Sequence, residues 1–282
     1  MVARERRIAA RGRGVLPRRA GLCERLRVSD DTPATDAPPD AAPGAQPAAA
    51  PAPDHLLRDG AARLGVALDE AQCAQLLRYL EALLEWNEKI NVTAVREPAA
   101  AVERHLVDSL SLVPVWRAVA GDAPPVRFLD LGTGGGFPGV PLAVAWPGAR
   151  ALLIDGTGKK VRVVADCLAR AGIANAEALQ CRGHLLPRER PGLRGGFPLV
   201  VARAVGPAPA LLREIAPLLA RDGVALLMKG PEPPADELRE AADVARETGL
   251  AVLPQRTSGM PGGDRGSVLV FRRARAPQRR RR

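Results

Sequence analysis

The sequence predicts an α/β protein: a largely parallel seven-stranded sheet with one antiparallel strand, behind an N-terminal helical extension. Three observations carry this. From Val126 onward, short apolar runs alternate with segments of helical period, as in successive βα units. A glycine-rich run, Gly132-Thr133-Gly134-Gly135-Gly136, directly follows the first apolar run. The last two runs, 251–253 and 267–271, stand too close for a crossover helix, so they form a hairpin and one strand opposes the rest.

In chain order, residues 1–29 are Arg-rich, and 30–53 are Pro/Ala-rich with almost no large apolar side chain. Such a stretch cannot offset its ordering entropy by burial, so residues 1–53 are expected to be a disordered basic arm and linker. From Asp69 to Ile90, Cys73, Leu76, Leu77, Leu80, Leu83 and Leu84 recur at three- and four-residue steps, one buried face of a long helix, which Asp69 and Gln72 open as a capping box. Pro98 opens a second helical stretch with Leu106, Val107, Leu110 and Val113, which Pro114 interrupts. These make a helical extension over 54–120. Strands are expected at 126–131, 151–154, 176–181, 199–202, 224–228, 251–253 and 267–271. Helices follow the glycine run as far as Trp146 and cover 159–171, 207–219 and 234–248, giving a second domain over 121–271. Residues 272–282, with seven Arg and no acid, are expected to be a disordered tail.

Hydrophobic residues make up 46% and charged residues 26%, which implies a globular fold and excludes wholesale disorder. No apolar run approaches the roughly 18 residues of a membrane-spanning helix. The Arg-rich N-terminus lacks the apolar core of a secretory signal, so a cytoplasmic setting is expected. Cys23, Cys73, Cys167 and Cys181 are scattered and only three histidines accompany them, which implies reduced thiols and no metal. The net charge of +10 sits in the tails: residues 1–53 hold 9 Arg against 6 acids and residues 272–282 add +7, leaving 25 basic and 25 acidic residues in 54–271. The charge therefore gives no information about a basic face on the fold. The tail arginines either bind RNA phosphates through counterion release or are simply solvated.

The chemistry is concentrated in Phe128-Leu129-Asp130-Leu131-Gly132-Thr133-Gly134-Gly135-Gly136-Phe137-Pro138-Gly139. Glycines after a first strand let the backbone turn sharply, approach a nucleotide-like ligand and enter a helix. Gly134, Gly136 and Gly139 satisfy the dinucleotide pattern Gly-x-Gly-x-x-Gly, but so glycine-rich a run satisfies many patterns. Asp130 in Asp-x-Gly-x-Gly-x-Gly instead resembles the first motif of class I S-adenosylmethionine-dependent methyltransferases. An acid there suits a ligand that carries a sulfonium and an ammonium and has no pyrophosphate. Asp155 ends the second strand, 23 residues after Gly132, where it either accepts hydrogen bonds from ribose hydroxyls or caps the turn before Gly156 and Gly158.

Six segments in order resemble the RsmG (GidB) family, methyltransferases of a guanine N7 in bacterial 16S ribosomal RNA. They are Trp86-Asn87-x-x-Ile90-Asn91-Val92-Thr93, His105-Leu106-x-Asp108-Ser109-Leu110, the 130–141 run, Leu153-Ile154-Asp155-Gly156-Thr157-Gly158-Lys159-Lys160, Arg203-Ala204-Val205 and Lys229-Gly230. The resemblance covers roughly 65–270 and implies a Rossmann-like methyltransferase with S-adenosylmethionine as cofactor. It further implies 16S RNA or the small ribosomal particle as partner. A monomer is expected. It places Gly132 and Phe137 at the cofactor, Arg203 beside it, and the pair after the third strand, Gly183 and His184, in contact with it. The family usually has Glu at the second position of that pair; His184 departs from this and removes a carboxylate acceptor.

Guanine N7 already carries an in-plane lone pair, so the reaction needs alignment and exclusion of water rather than a base, and no catalytic residue is expected. N7 lies in the deep, narrow groove of A-form RNA, so a loop or opened guanine is the expected target. Lys159, Lys160 and Lys229 follow strand ends where ligands bind and are expected at RNA phosphates, against the alternative of ordinary surface charge. Arg203 is alternatively a buried partner of Asp130 or Asp155. His105 and Asp108 are expected to join the helical extension to the sheet, and Trp86, Asn91 and Thr93 to do similar packing and turn work. Two other functions remain open: an NAD-type oxidoreductase, for which no acid/base residue can be placed, and an RNA-binding protein without turnover.

Overall fold

The computed structural model describes residues 52–259 and 266–273. The expected arm and linker up to residue 51, and the tail from 274, lie outside the described residues. The sheet comprises β1 (Arg127–Leu131), β2 (Arg150–Asp155), β3 (Ala176–Gln180), β4 (Phe197–Arg203), β5 (Leu219–Lys229), β6 (Leu250–Ser258) and β7 (Gly266–Arg273). Their order is β3-β2-β1-β4-β5-β7-β6. All neighbours pair in parallel except β7, which runs antiparallel to both β5 and β6. The expected sheet class holds, including its single opposed strand.

Three sheet limits differ most from expectation, the first being β6, expected at 251–253, which runs on to Ser258 in its pairing with β7. β5 begins at Leu219 rather than 224, because Pro217 ends the preceding helix and Phe197 N–H donates to Leu218 O, drawing the chain into pairing early. β7 continues through Arg272 and Arg273, which pair with Ala251 and Leu250, so these two residues belong to the sheet and not to the tail.

Ahead of the sheet stand α1 (Pro53–Arg63), α2 (Glu70–Asn87), α3 (Pro98–Ala101), a π-helical turn (Val102–Val107), α4 (Asp108–Leu110) and α5 (Leu112–Ala120). The capping box forms as expected: Gln72 N–H donates to Asp69 Oδ1 at 2.7 Å and Asp69 N–H to Gln72 Oε1 at 2.9 Å. Pro114 does not itself stand at the break. It lies in the first turn of α5, where its missing N–H goes unnoticed, and the interruption falls at Ser111 because Leu110 O has no donor at 114. The later helices are α6 (Gly139–Ala145), α7 (Gly158–Ala171), α8 (Leu186–Glu189), α9 (Ala208–Ile215) and α10 (Ala235–Glu247).

Strand alternation sorts the core into two layers. Phe128, Leu199, Val201, Val224 and Leu226 face α2, α6, α7 and the helical extension. Leu129, Leu131, Val200, Ala202 and Ala225 face α9 and α10. The strand order reverses between β1 and β4, and a crevice at the carboxyl ends beside that point is where an open α/β sheet places its ligand.

Candidate active site

The glycine turn is built from β1 outward. Gly132 and Thr133 both donate to Ile154 O at 2.9 Å, which reverses the chain at the strand end. Gly132 has φ 74°, and a Cβ there would stand 2.6 Å from a Val205 methyl, so only glycine fits. Asp130 sits beneath this turn, fully buried. Its Oδ2 accepts from Thr133 Oγ1 at 2.6 Å and from the N–H of Gly139, first residue of α6, at 2.8 Å. Burial pushes its carboxyl up to about 6, against the pull of those two donors, and its Oδ1 has no hydrogen-bond partner. The expectation of Asp130 facing the ligand's charged end is corrected. Alternation along β1 puts it on the Phe128 face under α6, where it braces the turn from below.

The helical extension supports the same turn. The buried Tyr79 hydroxyl donates to Gly135 O at 2.9 Å, and a Cβ on Gly136 would collide with it. Phe137 is buried, its ring stacked on His105 at 4.7 Å, with the Arg203 guanidinium 5.4 Å from its centroid. His105 Nε2 lies 2.7 Å from Thr93 Oγ1; burial, with Arg203 nearby, pushes its pKa down to about 4, so the ring is neutral. Asn87 fixes the Thr93 turn by accepting from the Val92 and Thr93 amides and donating to Thr93 O. Trp86 Nε1 donates to Asp166 at 2.7 Å, and Asn91 accepts from Arg96 at 3.0 Å. Arg203 pairs with neither Asp130 nor Asp155: it donates to Arg104 O at 2.9 Å and to Asp108 Oδ2 at 3.2 Å. Both His105 and Asp108 thus dock the extension onto the end of β4 through the one Arg203, whose Nη2 lies 3.5 Å from His105 Nδ1.

At the end of β2, the half-buried Asp155 accepts from Thr157 N–H at 2.7 Å and from Gly134 N–H at 3.1 Å. It caps its own turn and also borders the glycine turn. Lys159 is exposed and Lys160 half-buried at the start of α7. After β3, Gly183 is buried and His184 exposed. A residue that the sequence reading missed meets them here: Glu214 of α9, whose Oε1 lies 4.0 Å from His184 Nδ1 and whose Oε2 a Cβ on Gly183 would strike. Nothing local to Glu214 marks it, because the meeting depends on how α9 packs against the sheet.

Beyond Arg203 the loop passes through Ala204, at φ 55°, to the exposed Val205 that covers Gly132. Lys229 Nζ holds this loop, donating to Gly206 O at 2.6 Å and pairing with Glu237 at 2.7 Å. Glu237 also accepts from the Ala208 amide at 2.7 Å, and the Lys229 ammonium with that amide holds its carboxyl below the usual range. Lys229 is only 14% exposed, so the expected phosphate contact gives way to an internal clamp. Lys229→Met and Glu237→Gln are therefore expected to act alike, lowering kcat several-fold through a displaced Val205 loop while RNA affinity stays near the parent's. A filter-binding titration in which Lys229→Met alone loses RNA would restore the phosphate role.

A nucleotide pyrophosphate would bind at the N-terminus of α6, and there a carboxylate already takes the Gly139 amide. Like charge makes the crevice a poor dinucleotide site. An adenosine with a cationic side arm fits it better: Asp155 stands at one edge and Glu214 offers a half-exposed acceptor. Among the described residues, no cluster of three metal-ligating side chains occurs, and no helix is long and apolar enough to cross a membrane.

The family model described as rRNA small subunit methyltransferase G matches residues 72–258. Ribosomal RNA small subunit methyltransferase G of Marinobacter nauticus is 37% identical over 221 residues, covering 78% of this chain and 95% of its own. That of Cupriavidus necator is 34% identical over 226 residues, with the same coverage. Among solved structures, the [4+2]-cyclase SpnF aligns with TM-score 0.50 at 15% identity, over 75% of this chain and 98% of that one, a likeness of fold alone. With a family match across most of the folded residues and relatives matched along nearly their whole length, the chain belongs to the ribosomal RNA small subunit methyltransferase G family.

Proposed function

We propose that this protein methylates N7 of a guanine in 16S ribosomal RNA, with S-adenosylmethionine as donor. The observation that carries the reading is the glycine turn. Its helix amide is closed by Asp130 and its outer edge bordered by Asp155, an arrangement suited to an adenosine without a pyrophosphate, in a chain of a ribosomal RNA methyltransferase family.

When bound, S-adenosylmethionine supplies an electrophilic methyl carried on a sulfonium. Gly132 lets the backbone come close to it, and Asp155 turns a carboxylate oxygen to the ribose hydroxyls. The Gly183 amide and Glu214 serve the adenine edge, Glu214 standing in for the carboxylate that His184 lacks. Phe137 acts from behind, as the buried ring that couples the turn to His105 and Arg203. Arg203, held by Asp108, fixes the end of β4, and Val205 on the following loop shields the reacting atoms from water. Guanine N7 needs no base, and Asp130 is engaged in holding the turn while His105 is engaged in its support. Lys159 and Lys160 receive RNA phosphates beside the crevice. The reading takes 54–120 as the brace and 121–271 as the methyltransferase domain, acting in the cytoplasm as a monomer and without a metal.

Labelled methyl from the donor is expected in 16S RNA offered free or as assembling small subunits, with borohydride and aniline cleaving the product at one guanosine. Label in RNA without such cleavage would move the target away from N7. No label from either substrate, with donor still bound, would make the protein a binding module; tight binding of NADH instead of the donor would make it an oxidoreductase.

A further inference from the structure

The space that Gly132 leaves by lacking a side chain is filled from the loop after β4. Both methyls of Val205 point into it, 2.6 and 2.7 Å from the place of a Gly132 Cβ, yet Val205 is 40% exposed, so this contact holds it from one side only. The loop is pinned at both ends. Arg203 is fixed by Arg104 O and Asp108, and the Ala208 amide, at the start of α9, donates to Glu237 Oε1 at 2.7 Å. Between these anchors, among the described residues, Val205 and Gly206 make one hydrogen bond: the Gly206 carbonyl accepts from Lys229 Nζ at 2.6 Å. Glu237 aims the ammonium there, its Oε1 lying 2.7 Å from Nζ. The backbone on either side of Val205 suits a hinge. Ala204 has φ 55°, a left-handed conformation strained for a residue with a Cβ, and Gly206 has φ 154°, which side chains rarely adopt. Turning outward would relieve Ala204, and the ion pair opposes that movement.

We propose that Val205 is a gate over the donor's place at Gly132, latched by Glu237 acting through Lys229. The inference rests on the reading that S-adenosylmethionine binds at the glycine turn. A donor that approaches the Gly132 backbone and a Val205 side chain packed on it need the same space. The side chain therefore swings off to admit the donor and returns over it to exclude water. Only molecules with the gate open accept the donor, so the latch lowers the association rate by the open fraction. The same latch brings the loop back, which favours transfer. Glu237 touches neither donor nor RNA in this scheme and is a positioning residue.

The test is the association rate of labelled S-adenosylmethionine with the full chain, by pulse and chase with unlabelled donor, set beside kcat on 16S RNA at saturating donor. Val205→Ala takes both methyls off Gly132 and keeps the loop's backbone; at so exposed a position it should melt with the parent. Glu237→Gln keeps the shape of the latch and removes its charge. Each is expected to speed donor association several-fold and to lower kcat several-fold. A general loss of support would slow both steps, so opposite signs are the signature of a gate. Folded Val205→Ala that associates at the parent's rate would overturn the proposal. So would Glu237→Gln in which association and kcat fall together. A parent that binds no donor would sink the functional reading and the gate with it. If the association rates change as expected while RNA stays unlabelled, the methyl-transfer reading fails and the gate stands.

Discussion

Gly132→Val is expected to abolish cofactor binding and leave the fold standing. At φ 74° a valine pays about 1–3 kcal/mol in backbone strain, enough to lower the melting temperature by several degrees without unfolding a domain with two buried layers. Its Cβ would lie 2.6 Å from Val205, which is 40% exposed on a loop and yields outward into the crevice. The new side chain and the displaced one then fill the space that the donor needs. Calorimetry should show S-adenosylmethionine and its demethylated product binding at least ~100-fold more weakly, a loss of about 3 kcal/mol. Two controls separate this from general damage. A Cβ on Gly134 meets nothing within 4 Å, so Gly134→Ala bears only the strain of its φ of 58°. A Cβ on Gly139 would strike Leu153 and the Asp130 carboxyl, so Gly139→Ala should lose the fold itself. Donor affinity for Gly132→Val within a few-fold of the parent would remove the turn from the cofactor site.

The turn was legible in the sequence because everything that makes it is consecutive: an apolar strand, a carboxylate, then glycines, with Asp155 closing the next strand. The leucine face of α2 was legible for the same reason. Tyr79, the sole tyrosine, was not, because its place on that face says nothing of Gly135, to which its hydroxyl reaches. The pairings around the crevice were illegible in principle. Arg203 meets Asp108 across 95 residues, and Glu214 meets Gly183 only through the packing of α9 against the sheet. Lys229 shows the limit most plainly, since an ammonium after a strand end looks the same in the sequence whether it awaits a phosphate or already has Glu237. Asp130 lies on the Phe128 face of β1, but both faces of the sheet are buried, so alternation alone does not say that its carboxylate turns under the glycine turn to Thr133 and Gly139.

That buried carboxylate and the neutral His105 lead to opposite responses to acid. Asp130 titrates near 6 in the fold and near 3.8 when unfolded, so protonation favours the fold. Its stabilising contribution is full below 3.8 and is lost as pH rises through 6. His105 titrates near 4 in the fold and near 6.5 when unfolded, so its contribution is full above 6.5 and is lost as pH falls towards 4. Each shift corresponds to something on the order of 3 kcal/mol, and the two windows overlap. Between pH 6 and 4 the terms therefore cancel in the parent, and only substitution exposes them. In urea unfolding, Asp130→Asn should lose stability relative to the parent on acidification, by about 3 kcal/mol between pH 7 and 4. His105→Gln should gain by a similar amount over the same interval. At pH 7 Asp130→Asn should lie close to the parent, because removing a buried charge is offset by leaving an amide N–H unpaired where Oδ1 had no partner, a cost of about 1–3 kcal/mol. The double variant should again run parallel to the parent across the range. Difference curves that stay flat for both single variants would mean that neither group is desolvated, and the buried support assigned to the glycine turn would fail with them.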